Sequence, residues 1–385
     1  MSSPRQFRVL CYTLEAINSF ATVIYFNYLY FYCRDHFGFN DRQNLTLAAF
    51  IGSIYVVAAW QGGKFAHRYG YFNALKIGFG LMAVGLAAAL GFHGVIAQIA
   101  LACAINAGQC FIWPVLEALV SEGPAPARAV GIYNITWAIA NAAAYFIGGT
   151  LIEKFGYQSI FILPLALMAL QFCLVFQLEK MHAALPPMKH EAHPDDAHRP
   201  LPALAKKFQA MAWLANPFAY IGINTLIAVL PGIAAKFKLS AMEAGFMCSL
   251  WCFARVIAFI VLWKWPGWHY RFRYLLTAFV LLILSFAIIL MAPVISAVLA
   301  AQIFFGLAIG LLYYSSLYYS MHVSEAKSEH GGIHEAAIGV GNCLGPAAGA
   351  LALWLAPQSP TMGAWAVSGL LTLGLGGLVW LKQKP

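Results

Sequence analysis

The sequence predicts an all-α integral membrane protein, with twelve transmembrane helices in two pseudo-symmetric six-helix bundles. Three observations carry that expectation. Of the 385 residues, 62% are hydrophobic and only 10% charged, and the mean hydropathy is +0.73. A soluble domain holds about 25% charged residues, so charge this sparse cannot cover a 42.0 kDa globule in water. The chain also divides into twelve apolar stretches, each close to the ~20 residues that cross the hydrocarbon of a bilayer. Finally, the fifth and eleventh stretches repeat each other.

In chain order the stretches run near 8–32, 44–62, 73–92, 95–119, 130–152 and 158–178, then 207–234, 241–263, 273–292, 294–320, 332–356 and 362–381. The first follows a basic N-terminus, but it is too long for a signal h-region and carries Glu15, so it reads as a retained helix. Short connections imply antiparallel neighbours. The exception is a polar, proline- and histidine-rich connection, which gives an N-terminal bundle over 1–180, a cytoplasmic linker over 181–203 and a C-terminal bundle over 204–385. Its His182, His190, His193 and His198, beside Glu191, Asp195 and Asp196, fit a flexible tether between two moving halves better than a metal site. The eight cysteines lack zinc or disulfide spacing and read as small buried hydrophobes.

The repeat links GIYNITWAIANAAAYFIGG, from Gly131, to GIHEAAIGVGNCLGPAAGA, from Gly332. At a constant offset Gly131, Ile132, Asn141 and Gly148 meet Gly332, Ile333, Asn342 and Gly349. Parallel repeats about an axis along the membrane normal describe one class of secondary transporter.

With both termini on one side, 17 Lys and Arg residues fall on that side, 5 on the other, and Arg255 within a span. The positive-inside rule then puts both termini in the cytoplasm, and a bacterial-type inner membrane is the expected location. The net charge of +9 is spread over many membrane-edge loops, so the expected partner surface is lipid and not nucleic acid. No phosphate-binding loop occurs and no polar stretch is long enough to fold alone, which argues against ATP-driven transport and against an enzyme. No cofactor or metal is expected, and the chain reads as a monomer.

The turn between the second and third stretches is GKFAHRYGYF, Gly63 to Phe72. It resembles the G-x-x-x-D-R-x-G-R-R turn of the major facilitator superfamily in Gly63, Arg68 and Gly70, with His67 for the aspartate and Tyr71–Phe72 for the basic pair. Pro114 and Arg128 also fit that family's pattern around helices 4 and 5. The resemblance implies twelve helices, alternating access and a cytoplasmic gate in which Arg68 reaches acids at the end of helix 4, here Glu122 and, in the last turns, Glu117. Two departures stand out. Ala104 replaces the arginine often found in helix 4, and the glycine-proline motif of drug antiporters is missing from helix 5, with Gly345–Pro346 in helix 11 instead.

An ionisable group inside a membrane usually faces a cavity or a partner. Glu15 heads a stripe of Asn18, Thr22, Tyr25 and Tyr28 at helical spacing, and reads either as a substrate or proton site or as a structural carboxylate bonded to a neighbouring helix. Arg255 cannot neutralise by losing its proton. It needs an anionic ligand or a carboxylate such as Glu335. His334 and Glu335 open helix 11 as a candidate proton-coupling pair, although a helix-start carboxylate also complements the dipole. Further candidate substrate contacts are Asn106, Gln109 and Trp113 on helix 4, Trp137 and Asn141 on helix 5, Asn216, Tyr220 and Asn224 on helix 7, Tyr313, Tyr314 and Tyr318 on helix 10, and Asn342 on helix 11. Such surfaces suit a small organic solute with polar and apolar parts. The expected function is therefore proton-coupled secondary transport of such a solute, anionic or zwitterionic. Efflux of amphipathic drugs and a non-transporting sensor or scaffold are the alternatives.

Overall fold

The computed structural model describes residues 3–122, 126–185, 202–323 and 327–384. Most of the connection between the two bundles, with His190, His193 and His198, lies outside the described residues. The helices are α1 (Pro4–Phe37), α2 (Asp41–Tyr69), α3 (Tyr71–Gly91), α4 in two pieces (Val95–Gln109 and Trp113–Ser121), α5 (Pro126–Phe155) and α6 (Ser159–Ala183). The second half holds α7 (Pro202–Lys236), α8 (Ala241–Lys264), α9 (Phe272–Met291), α10 (Ile295–Val323), α11 (Lys327–Leu355) and α12 (Met362–Gln383). All twelve are long and apolar enough to cross a membrane, counting α4 as one span.

Most helices run past the apolar stretch that predicts them, and local chemistry explains where they stop. α1 begins at a capping box, in which Ser3 Oγ accepts from the Gln6 amide and the Gln6 side chain accepts from the Ser3 amide. Asn40 with Gln43 and Ser240 with Glu243 start α2 and α8 in the same way. Gly70 joins α2 to α3 at φ 92°, a conformation that L side chains rarely adopt. The single fourth span expected from the sequence is broken between Gln109 and Trp113. The Phe111 and Ile112 amides turn back three residues to Gly108 and Gln109. Pro114 cannot donate, and its ring would clash with the carbonyl four residues earlier.

Small residues let the two halves approach along two helix pairs, α2 against α11 and α5 against α8. A Cβ on Gly52 would stand 2.6 Å from the backbone of Asn342 and Cys343, and one on Gly149 would collide with the Ala241 carbonyl. Gly245 closes the same α5–α8 seam, 2.7 Å from the Tyr145 carbonyl by the same measure. Glycine at such crossings allows backbone contact that packing alone rewards inside a bilayer. A polar link adds to the seam, the Met242 amide at the start of α8 donating to Glu153 of α5 at 2.9 Å. The outward surfaces are apolar: Ile96, Leu373 and Val84 are 85%, 74% and 68% exposed, as a lipid-facing surface requires.

Candidate functional site

A cavity of about 180 Å³ lies between the halves. It is lined by α1, α2, α4 and α5 of the first half and α7, α8, α10 and α11 of the second. Among the described residues α2 is the one wall helix outside the set read from sequence; it supplies Ala48, Ile51, Gly52 and Tyr55.

Glu15 is 1% exposed and faces the cavity. Its Oε1 accepts from Ser19 Oγ at 2.7 Å, one turn along α1, and its Oε2 accepts from Tyr133 Oη at 2.9 Å across on α5. The structure thus gives this carboxylate both features considered for it, a cavity position and a bond to a neighbouring helix. The stripe below it is turned from the predicted one. Ser19, Thr22, Phe26, Asn27 and Tyr30 line the cavity, whereas Asn18 and Tyr25 do not. Tyr25 packs instead on Phe161 of α6, ring centroids 5.8 Å apart. Asn18 is fully buried with its amide unbonded. One position along a helix is about 100° of rotation, enough to carry those side chains off the wall.

Arg255 is 4% exposed and lines the cavity from α8. Its guanidinium stacks between Trp137 of α5 and Trp251, one turn back on its own helix, at 4.5 and 5.0 Å from the ring centres. With the Asn141 amide turned to donate to the Ser19 carbonyl, its oxygen accepts from Arg255 Nη2, both at 3.3 Å. Arg255 Nε has no partner, and among the described residues no carboxylate pairs with this arginine. The expected alternative of an Arg255–Glu335 ion pair is therefore corrected. Glu335 is bonded elsewhere, its Oε2 accepting from Tyr55 Oη of α2 at 2.5 Å.

His334 is buried behind the wall. Its Nε2 lies 3.2 Å from Asn216 Nδ2 and 3.1 Å from Ser316 Oγ. Its other ring nitrogen, Nδ1, lies 3.8 Å from Glu335 Oε1. Asn216 is thus a partner of His334 and does not line the cavity, although Tyr220 and Asn224 on the same face do. Asn224 Nδ2 donates to Asn342 Oδ1 at 2.5 Å. Asn106 lines the cavity while donating to the Ile51 carbonyl at 3.1 Å; Gln109, Trp113 and Trp137 line it too.

On α10, among the described residues, only Tyr313 faces the cavity. Tyr314 packs on Trp268 and Phe259, and Tyr318 stacks on His269 with ring centroids 4.0 Å apart, so both expected contacts are corrected. The turn between α8 and α9 brings Trp268 and His269 against α10 and claims those rings.

The expected gate contact of Arg68 with Glu117 or Glu122 is absent among the described residues. Arg68 is exposed, 5.3 Å from the centre of the Tyr69 ring, and pairs with neither Glu117 nor Glu122. Glu122 is held within its own half. Its Oε2 meets His182 Nε2 of α6 at 3.0 Å, and its carbonyl accepts from Arg8 Nη2 of α1 at 2.6 Å. The rings of Phe7 and Phe72 flank that imidazole, each centroid 5.3 Å away. Glu117 lines the cavity. Gly63 and Gly70 lie along α2 and at its end, with no part in a salt bridge.

The residues that sequence reasoning missed are those that hold the carboxylates. Tyr133 falls four residues before Trp137 and Asn141 follows at the same interval, so its spacing could have placed it on the same face. Tyr55 stands singly in an apolar stretch, and nothing local marks it.

Comparison with known proteins agrees with this architecture. A family model described as Major Facilitator Superfamily matches residues 9–350. No curated protein matches the chain. Among solved structures it is similar to a bacterial homologue of the human lysosomal transporter Spinster, in an inward-facing and unoccupied conformation, with 12% identity, TM-score 0.68, and coverage of 99% of this chain and 96% of that one. It is also similar to the human organic anion transporter MFSD10 (TETRAN), with 14% identity, TM-score 0.67 and coverage of 98% and 100%. The nucleoside transporter NupG, in a point-mutant form, gives 13% identity, TM-score 0.68 and coverage of 97% and 99%. At these identities the likeness is one of fold.

Proposed function

The chain belongs to the major facilitator superfamily, and on that premise we propose that it moves a small organic solute bearing an anionic group, coupled to protons, by alternating access. The observation that carries this reading is Arg255. A permanently charged guanidinium is buried in the cavity between the halves and, among the described residues, has no carboxylate partner. An arginine so placed is suited to a planar anionic group. The names of two similar structures, an organic anion transporter and a nucleoside transporter, are compatible with a solute of this size.

Glu15 and Glu335 are the proposed proton sites. Each carboxylate faces the cavity and is held by a tyrosine from another helix, so gain or loss of its proton alters a bond within the first half at Glu15 and between the halves at Glu335. His334, whose Nδ1 faces Glu335 at 3.8 Å, belongs to the second of these sites. The proposed setting is a bacterial-type inner membrane, with both termini and the 181–203 linker in the cytoplasm and the protein acting as a monomer.

The test is uptake of an organic-anion panel into proteoliposomes, with and without a proton gradient, in the wild type and in Glu15→Gln and Glu335→Gln. Gradient-driven accumulation that either variant uncouples supports the reading. Two carboxamide variants that both keep normal pH-dependent uptake would remove the proton assignment. Binding without movement in the wild type would make the protein a sensor.

A further inference from the structure

Among the described residues the cavity is lined by four ionisable side chains, and they are unequally satisfied. Glu15 receives two hydroxyl hydrogen bonds and Glu335 one. Glu117, on the second piece of α4, lines the same cavity, and among the described residues no hydrogen bond or ion pair satisfies its carboxylate. Arg255, 4% exposed, has only the Asn141 oxygen and two indole faces, and its Nε is unbonded. One guanidinium and one carboxyl group are therefore left over on a shared cavity, and they do not meet each other. Among the described residues Arg255 has no carboxylate, and Glu117 no hydrogen-bonded cation, of the kind that a poorly solvated charge requires.

Aromatic side chains surround this pair. Trp113, Trp137, Tyr220 and Tyr313 all line the cavity. Trp137 meets Tyr313 edge-on at 5.2 Å, and Tyr313 lies 6.3 Å from Tyr220 across α7 and α10. Buried Gln109 adds an Nε2 donor with no partner.

The geometry points to a compact aromatic zwitterion as the substrate class, its anionic end on Arg255 and its cationic end on Glu117. The inference rests on the transport reading above and narrows it, since a solute with only an anionic group leaves Glu117 unanswered. Glu117 is then a specificity-determining residue that separates zwitterions from simple anions.

The test uses three probes of one shape, 4-(aminomethyl)benzoate, 4-methylbenzoate and 4-methylbenzylamine, titrated calorimetrically into the purified full chain. The wild type is expected to bind the zwitterion at least tenfold more tightly than either singly charged probe. Glu117→Gln should reduce zwitterion affinity to that of 4-methylbenzoate, with a cooperative melting transition showing that the variant is folded. Arg255→Gln should abolish 4-methylbenzoate binding and retain 4-methylbenzylamine. Equal affinity for zwitterion and anion, unaltered by Glu117→Gln, would overturn this inference and leave anion transport standing. Binding of none of the three probes would overturn it as well, and the proteoliposome panel would then decide the transport reading separately. A preference for 4-methylbenzylamine alone, insensitive to Arg255→Gln, would overturn both and favour cation efflux.

Discussion

Tyr55 Oη donates a 2.5 Å hydrogen bond to Glu335 Oε2 and so ties α2 of one half to α11 of the other beside the central cavity. Both groups are buried at the wall of the cavity. Tyr55→Phe removes the donor and leaves a carboxylate oxygen short of a partner, a loss of about 1.5–3 kcal/mol for a hydrogen bond to a charged group. The expected result is a lower melting temperature for the purified protein, together with slower transport. Glu335→Gln combined with Tyr55→Phe should cost less than the sum of the two single changes, which a double-mutant cycle measures.

Gly149 lies where α5 meets α8, and a Cβ there would strike the Ala241 carbonyl. Backbone cannot move aside as a flexible side chain can. Gly149→Ala should therefore destabilise the protein by about 1–3 kcal/mol through overpacking and slow transport by holding the seam open. Thermal denaturation and uptake read the two effects separately. Gly376→Ala meets open space and should leave both near wild type, apart from the usual helix preference.

Arg68 and His182 separate the gate that the family motif implies from the contact that is present. Among the described residues Arg68 pairs with no acid, whereas His182 reaches Glu122 between two phenylalanine rings. Arg68→Ala is expected to stay within about 0.5 kcal/mol of wild type, as surface changes usually do. His182→Ala should lose about 1–3 kcal/mol, from ring packing and a hydrogen bond to a carboxylate. Chemical or thermal unfolding in detergent checks the pair, and a larger loss at Arg68 would restore the gate.

Most of the architecture is legible in the sequence because transmembrane helices announce themselves by apolar length, and the loop charges set their expected direction. The break in α4 is not, even with Pro114 in view, since hydropathy is blind to a lost backbone donor. At the site, residue type is a better guide than face. Glu15, Arg255, Trp137, Asn141 and Asn342 line the cavity. Asn18, Tyr25, Asn216, Tyr314 and Tyr318 do not, because a polar or aromatic residue on a cavity helix can equally be claimed by the neighbouring helix. Rotation of a helix by one position decides between these outcomes. In helices that carry polar groups on more than one side, the sequence period does not fix that rotation.

The most direct test of the central claim is counterflow of organic anions in proteoliposomes, comparing the wild type with Arg255→Gln. Arg255 is held by Trp137, Trp251 and Asn141 and, among the described residues, has no acidic partner. Its loss should therefore remove anion recognition without stranding a buried carboxylate. The expected result is exchange of at least one anion by the wild type and a fall of roughly tenfold or more in the variant, with melting temperature little changed. Undiminished anion exchange by a well-folded Arg255→Gln protein would contradict the account.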